Sequence, residues 1–359
     1  MPHRIACGTT AGANVGATTS PLPNVASRQA SAPFIAADVG GTHVRIGLVR
    51  GRAPVEVRDY RRFACADFPG LAEVIAHYLA TNPEAQAVRR GVIACAGHAL
   101  EDGTVLSVNL PWPVSPSRIA RQLGFEDIRL VNDFEAVAHA VAELGTHALL
   151  RLSGPDHAPR GPTLVVGPGT GLGAAVRIPD GDRAVVLATE AGQAALTVTT
   201  ELEMAVLREL RGDGRHVSME HVLSGPGLVR LHLALARVRG VAHALSTPDA
   251  ITAAAQSGDD ALARETLDVF CELLGAAIGD MALLYGAYGG VHLAGGVLPQ
   301  IRGFLPHSGF VRRFLDKGPM REALQRIPVT LVEHGQLGVI GAAGWYLDRN
   351  KNDNDNDNE

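Results

Sequence analysis

Cysteine is scarce and scattered: Cys7, Cys65, Cys95 and Cys271 are the four in 359 residues, and no two make a C-x-x-C pair. A zinc site of the usual spacing and a disulfide framework are both excluded, and a reducing cytoplasm fits best. Long apolar runs are missing too. None reaches the roughly 18 to 20 residues that span a bilayer, so no membrane association is expected. Positive charge is not in excess. Lys and Arg total 32 against 37 Asp and Glu, a net charge of −5, which argues against nucleic acid as a partner. No G-x-x-x-x-G-K-S/T occurs, so a Walker-type phosphate loop is ruled out. Residues 1–33, rich in Ala, Gly, Thr, Ser and Pro, contain no continuous apolar run of the signal-peptide kind. They are expected to be a disordered extension, and the polar run 350–359 a disordered tail.

What the chain has is glycine, 41 residues of it, and 46% apolar residues in short alternating runs. Its length suggests two domains of roughly 150 residues or a little more. "FIAADVGGTHVRIGLV" reads as strand, glycine turn, strand, because the second arm keeps a strand's alternation. Strands at "VEVRDYRRFAC", "RRGVIACAG" and "DIRLVND" follow, with helices at "LAEVIAHYLATN", at "SPSRIARQLG" (serine-capped) and at "FEAVAHAVAELG", ended by Gly145. A second round starts at "TLVVGPGTGLGAAVRI", again strand, glycine turn, strand. Helices are expected at "TELEMAVLRELRG", near "SMEHVLSG" and from about Asp259 to Tyr285. Two similar α/β halves with a cleft between them are expected. One is a small α/β domain over 34–143, completed by a C-terminal helix over 336–349. The other is a large α/β domain over 144–335.

"GTGLGA", Gly169 to Ala174, fits the dinucleotide pattern G-x-G-x-x-A. That pattern requires a helix after the turn, and "AAVRIPDGDRAVVLAT" reads as two strands. A turn between strands still binds phosphate when glycines let several backbone N–H groups converge. "DVGGT" and "GPGTGLG" have two and four glycines where a plain hairpin needs one, and each carries a hydroxyl, Thr42 and Thr170. Asp38, just before the first turn, would repel a phosphate unless Mg²⁺ lay between them. In "RLVNDFEAVAHAV" an amide and a carboxylate, Asn132 and Asp133, stand where a strand hands over to a helix. Either Asp133 caps the helix or it faces a ligand.

The segments "ADVGGTHVRIGLV", "LVNDFEAVA", "VVGPGTGLG", "ATEAGQ", "SMEHVLSGPGLVRLH" and "VHLAGGVLPQ", in this order, resemble those of the bacterial ATP-dependent glucokinases of the hexokinase/actin/Hsp70 superfamily. The zinc motif of the related ROK kinases is absent. The resemblance implies two RNase-H-like (actin-like ATPase) α/β domains with an interdomain cleft, usually as a cytoplasmic homodimer. It implies ATP, Mg²⁺ and glucose as ligands. Asp133 corresponds to the catalytic base for the sugar's 6-hydroxyl. Asn132, Glu190 and Glu220 correspond to sugar-binding residues, with Asn109 in the same pocket. Asp38 (toward Mg²⁺ through water), Gly40, Gly41, Gly169, Thr170 and Gly171 correspond to the phosphate segments, together with Thr42, and Gly295 and Gly296 to the turn beside the nucleoside. Two departures stand out. Gln193 replaces a sugar-contacting His, which puts the hexose preference in question, and His43 replaces an Asn, with a solvent-facing side chain expected. A non-enzymatic sugar or nucleotide sensor and a kinase of different sugar preference stay open beside glucose phosphorylation.

Overall fold

Alternating apolar residues and a glycine turn make the opening segment a hairpin. In the computed structural model, residues 32–356 are described, apart from 52–54, 101–102, 107–109, 146–147, 158, 182, 213 and 334. The first half contains β1 (Phe34–Val39), β2 (His43–Arg50), β3 (Glu56–Ala64), α1 (Leu71–Thr81) and β4 (Arg90–Cys95). After a small pair, β5 (His98–Ala99) and β6 (Val105–Leu106), come α2 (Pro116–Leu123), β7 (Asp127–Asn132) and α3 (Asp133–Glu143). The sheet order is β3-β2-β1-β4-β7, with β1, β2 and β3 antiparallel and β1, β4 and β7 parallel. Helix α1 buries Val74, Ile75 and Tyr78 against one face. Two helix ends differ from the expectation. Ser115 stands at the N-cap of α2 without a side-chain capping bond; its Oγ lies 3.2 Å from the Oγ of Ser117. Helix α3 stops at Leu144, whose backbone is already extended, one residue before Gly145.

The second half has β8 (Leu149–Ser153), β9 (Thr163–Pro168), β10 (Leu172–Asp180), β11 (Arg183–Thr189), β12 (Gly290–Leu293) and β13 (Val329–Val332), in the order β11-β10-β9-β12-β13-β8. Its helices are α4 (Glu201–Arg211), α5 (Met219–Val222), α6 (Gly225–Arg239), α7 (Pro248–Ser257), α8 (Ala261–Leu284), α9 (Phe310–Phe314) and α10 (Arg321–Gln325). The echo read in the sequence is a repeat of topology. In both sheets two antiparallel pairings join three consecutive strands, β1–β3 and β9–β11, and two parallel strands follow on the other side; the second sheet adds β8, antiparallel to β13 at its edge. The residues after Gly173 are strand β10, paired with β9 and β11, so the helix a dinucleotide turn requires is not there.

The last helix, α11 (Leu337–Asn356), returns to the first sheet. Val339, Ala342, Ala343 and Tyr346 pack with Phe34, Ala36, Val92 and Val131. It crosses α3 so closely that a Cβ on Gly341 would lie 1.7 Å from the carbonyl oxygen of Ala136. Residues 350–356, expected as part of a disordered tail, are helical. A helix already nucleated by packing extends cheaply, because each further residue adds a backbone hydrogen bond. A further cluster joins the halves: Ala138 and Val141 of α3 with Val165, Ala175, Ala294 and Val332 of the second sheet. Among the described residues no helix is long and apolar enough to cross a membrane.

Candidate active site

The strand ends and glycine turns of both halves meet at one cleft of about 1110 Å³. In the first sheet, β1 delivers Asp38, and β7, one strand beyond β4, delivers Asn132 and Asp133. Asp38, Gly40, Gly41, Asn132, Asp133, Gly169, Thr170, Gly171, Glu190, Gln193, Glu220, Gly295 and Gly296 all line the cleft. Thr42 does not: it is exposed, and its carbonyl accepts the backbone N–H of Cys65 at 2.9 Å. A residue at the outer tip of a tight turn points away from the space its glycines enclose. Asn109 lies outside the described residues. His43 is absent from the lining. Slight burial and the charges of Arg62 and Arg45 hold its pKa below the ordinary histidine value, which disfavours the charged form.

Asn132 is the N-cap of α3. Its Oδ1 accepts the backbone N–H groups of Phe134 and Glu135, both at 3.0 Å. That bond leaves only its Nδ2 to donate to a ligand. Asp133 is the first helical residue, and its Oδ1 accepts the Phe134 N–H at 2.9 Å. No other described residue besides Phe134 donates a hydrogen bond to this carboxylate. Burial, then the nearby charge of Asp38 and more weakly that of Glu190, pushes the Asp133 carboxyl up to about 6, against the pull of the Phe134 N–H. Cys95 ends β4 between them, and burial and the same two aspartates push its thiol up to about 12. The floor of the cleft is thus carboxylate-rich and short of cations.

The opposite wall is one connected structure. Glu220, on the short helix α5, accepts the Leu172 backbone N–H with Oε2 at 2.9 Å and the Gln193 side-chain amide with Oε1 at 3.1 Å. A Cβ on Gly171 would lie 2.3 Å from that Oε2, so a side chain at the turn and this carboxylate cannot both occupy their places. The Gly169 carbonyl accepts the N–H of Gly225, which ties the second glycine turn to the start of α6 at 2.8 Å. Gly295 has φ +128°, a conformation that side chains avoid. Gly295 and Gly296 line the same space.

Sequence reading missed Arg45, Phe134, Arg302, Glu333 and Gly338, all of which line the cleft. Arg45 donates from Nη1 to Asp38 Oδ2 at 3.2 Å. Arg302 and Glu333 form an ion pair at the end bounded by Gly296 and Pro299. A Cβ on Gly338, in the first turn of α11, would lie 2.4 Å from the Asp38 Cγ, so helix and carboxylate meet only because this residue is glycine. An antiparallel hairpin turning at Gly40–Gly41 already pairs positions 38 and 45, which could have pointed to Arg45. Nothing local points to Gly338, 300 residues from its contact.

Asp38 is the candidate for a magnesium ion. Burial raises its pKa, although the Arg45 charge and hydrogen bond pull the other way, so the carboxylate is under-compensated. Among the described residues no group of three or more His, Cys, Asp or Glu is placed to hold a metal. One carboxylate beside two glycine turns fits an ion that keeps its waters and is held largely by nucleotide phosphates.

The glucokinase family model matches residues 35–349. A glucokinase-like protein of Xylella fastidiosa (strain 9a5c) is 50% identical over 335 residues, 92% of this chain and 98% of that protein. The solved glucokinase from an Antarctic psychrotroph superposes with a TM-score of 0.76 at 35% identity, covering 87% of this chain and 98% of that one. A ROK family glucokinase from Streptomyces griseus, solved with glucose and AMPPNP, shares the fold with a TM-score of 0.61 at 22% identity, covering 87% and 98%. These neighbours have the actin-like ATPase fold, two RNase-H-like α/β domains about a cleft, and that is the fold of this chain.

Proposed function

The chain belongs to the glucokinase family, and from that premise we propose that it phosphorylates glucose at the 6-hydroxyl, with Mg-ATP as donor and glucose-6-phosphate as product. One observation carries this reading. Asp133 lies in the cleft with its carboxylate held by the Phe134 N–H alone among other residues, and within reach of the charges of Asp38 and Glu190. Phosphoryl transfer through a loose transition state asks for position and charge more than for covalent chemistry. Asp133 takes the proton of the 6-hydroxyl as its oxygen bonds to phosphorus and the bond from phosphorus to the ADP oxygen breaks. Asn132 through Nδ2, Glu190, Gln193 and Glu220 hold the sugar by paired hydrogen bonds, and Asn109 is assigned to the same pocket. The N–H groups of Gly41, Thr170 and Gly171 receive the donor phosphates; those of Gly40 and Gly169 donate to the carbonyls of His43 and Gly171, so these two glycines hold the turns and leave room, and Gly295 and Gly296 flank the nucleoside. Bound Mg²⁺ would neutralise phosphate charge there, and Asp38 would hold it through water.

The glucose and AMPPNP of the Streptomyces protein are the ligand pair this reading assigns to the same cleft. It further implies a cytoplasmic homodimer at the first step of glycolysis, with domains 34–143 plus 336–349, and 144–335. A coupled assay of the purified protein with Mg-ATP and a hexose panel tests it. Turnover with glucose is expected. Glucose binding in calorimetry without turnover on any hexose would instead make the protein a sensor. A second reading, a kinase preferring another hexose, is favoured by the bond that commits the Gln193 amide to Glu220.

A further inference from the structure

The wall of the cleft opposite Asp133 accepts hydrogen bonds and has little to donate. Gln193 donates its backbone N–H to the Glu190 carbonyl at 2.9 Å, closing a single 3₁₀ turn. Residues three apart in such a turn eclipse, so the Glu190 and Gln193 side chains stand on one side, and both line the cleft. The Gln193 side-chain amide then donates to Glu220 Oε1 at 3.1 Å. An ionised carboxylate only accepts, so the amide nitrogen faces it, and Gln193 Oε1 is left without a partner among the described residues. The Thr189 hydroxyl, also in the lining, is spent as a donor on the Ala174 carbonyl at 3.0 Å. Asn132 Nδ2 is therefore the one side-chain donor left here among the described residues, against acceptors on Asp133, Glu190, Gln193 and Glu220.

Charge is divided the same way. The described lining has two cations, and both are paired elsewhere: Arg45 with Asp38 beside the first glycine turn, and Arg302 with Glu333 near Pro299. Asp133, Glu190 and Glu220 have no cation of the described lining beside them. A hydroxyl brings one donor and two lone pairs to such a wall. An ammonium brings three donors, a positive charge and no lone pair, which is the better match to a surface of acceptors.

We propose that the cleft selects a hexose with an amino group at C2, whose ammonium is received by the Glu220 carboxylate and the Gln193 side-chain carbonyl oxygen. This rests on the kinase reading above and names the sugar that its second reading leaves open. In a pyranose ring C2 lies across from C5, the carbon that bears C6. A sugar with its 6-hydroxyl at Asp133 therefore turns C2 to the opposite wall, where Gln193 and Glu220 are joined. The phosphoryl group still passes to O6, the hydroxyl proton to Asp133, and ADP leaves; the protonated amine has no lone pair and does not compete for the phosphorus. The competing role is purely structural, in which Gln193 and Glu220 only brace each other and the start of β10.

An ADP-coupled assay of the full-length protein with Mg-ATP and glucosamine, glucose or N-acetylglucosamine separates the two roles. In wild type, kcat/KM for glucosamine is expected to exceed that for glucose at least about ten-fold, the scale of one charge-assisted hydrogen bond. N-acetylglucosamine, neutral and bulkier at C2, should fall below both. Gln193→Met and Glu220→Gln should each bring the glucosamine-to-glucose ratio toward one, with the loss borne mainly by glucosamine. The Gln193 side chain is exposed, so its replacement leaves the fold intact, and circular dichroism checks both variants. A structural role lowers both sugars together and leaves the ratio unchanged, which would overturn the proposal. A wild type that uses glucose as well as or better than glucosamine also overturns it, while the kinase reading stands. Turnover of glucosamine with none of glucose keeps the proposal and removes glucose as the substrate. A wild type that phosphorylates no hexose overturns both.

Discussion

The carboxylate of Glu220 bridges two segments: Oε1 accepts the side-chain amide of Gln193 at 3.1 Å, and Oε2 accepts the backbone N–H of Leu172 at 2.9 Å. One residue therefore holds both the Gln193 side chain, proposed to face the sugar, and the strand that leaves the second glycine turn. Removing it should disturb both ligands. Glu220→Ala leaves the partly buried Leu172 N–H unpaired, a loss of about 1 to 3 kcal/mol. Glucose affinity and nucleotide affinity are both expected to fall, and two separate calorimetric titrations measure them. A loss confined to glucose would show that the Leu172 bond does not shape the turn.

Capping and chemistry are divided between neighbours. Asn132 has the two capping bonds of α3, so Asn132→Ala should destabilise the protein by about 1 kcal/mol. Asp133→Asn removes the proposed base, and turnover should drop by about 10²-fold or more. Burial disfavours its charge, so the same change should leave the melting temperature level or higher. Near-normal turnover in Asp133→Asn would remove it as the base.

The raised Asp133 carboxyl sets two opposite pH trends. Only its ionised form accepts a proton, so kcat/KM should fall as pH drops through about 6. Stability moves the other way. Between the ordinary carboxylate value of 3.8 and about 6 the folded state keeps a proton that the unfolded state has lost, so this group's contribution declines as pH rises through that window. Urea midpoints across the window should show a shallower decline in Asp133→Asn than in wild type.

Two glycines, Gly167 in strand β9 and Gly171 in the turn after it, should fail differently. A Cβ on Gly167 would lie 1.1 Å from the Ala294 backbone carbonyl, which cannot yield without moving strand β12's exit, so Gly167→Ala should not give folded protein. At Gly171 the obstacle is the tip of Glu220, which can swing aside. Gly171→Ala should fold with an ordinary melting curve yet bind glucose several-fold more weakly, because Glu220 has left its place. Circular dichroism and calorimetry on the pair distinguish the outcomes.

Much of this was legible in the chain because it is local. The two glycine turns, the strand after Gly173 and the strand-to-helix handover at Asn132–Asp133 follow from alternation, glycine content and helix period, all set within about ten residues. Misreadings were local rules overridden by neighbours. Ser115 faces Ser117 instead of capping, Thr42 points outward from its turn, and the polar run 350–356 continues a helix that packing had begun.

By itself the amino-acid order determined the two repeats, their turns and the residue types able to hold phosphate and sugar, since these depend on backbone preferences and short spacings. Only the tertiary structure decided which partner each group has. Asp38 meets Arg45 through register and Gly338 through the return of α11; Glu220 meets Leu172 and Gln193 from a different helix; Asn132 takes both capping bonds, and Asp133 shares only the Phe134 N–H. Such pairings join residues tens to hundreds of positions apart, and burial of charge at their meeting point has no counterpart in a linear sequence.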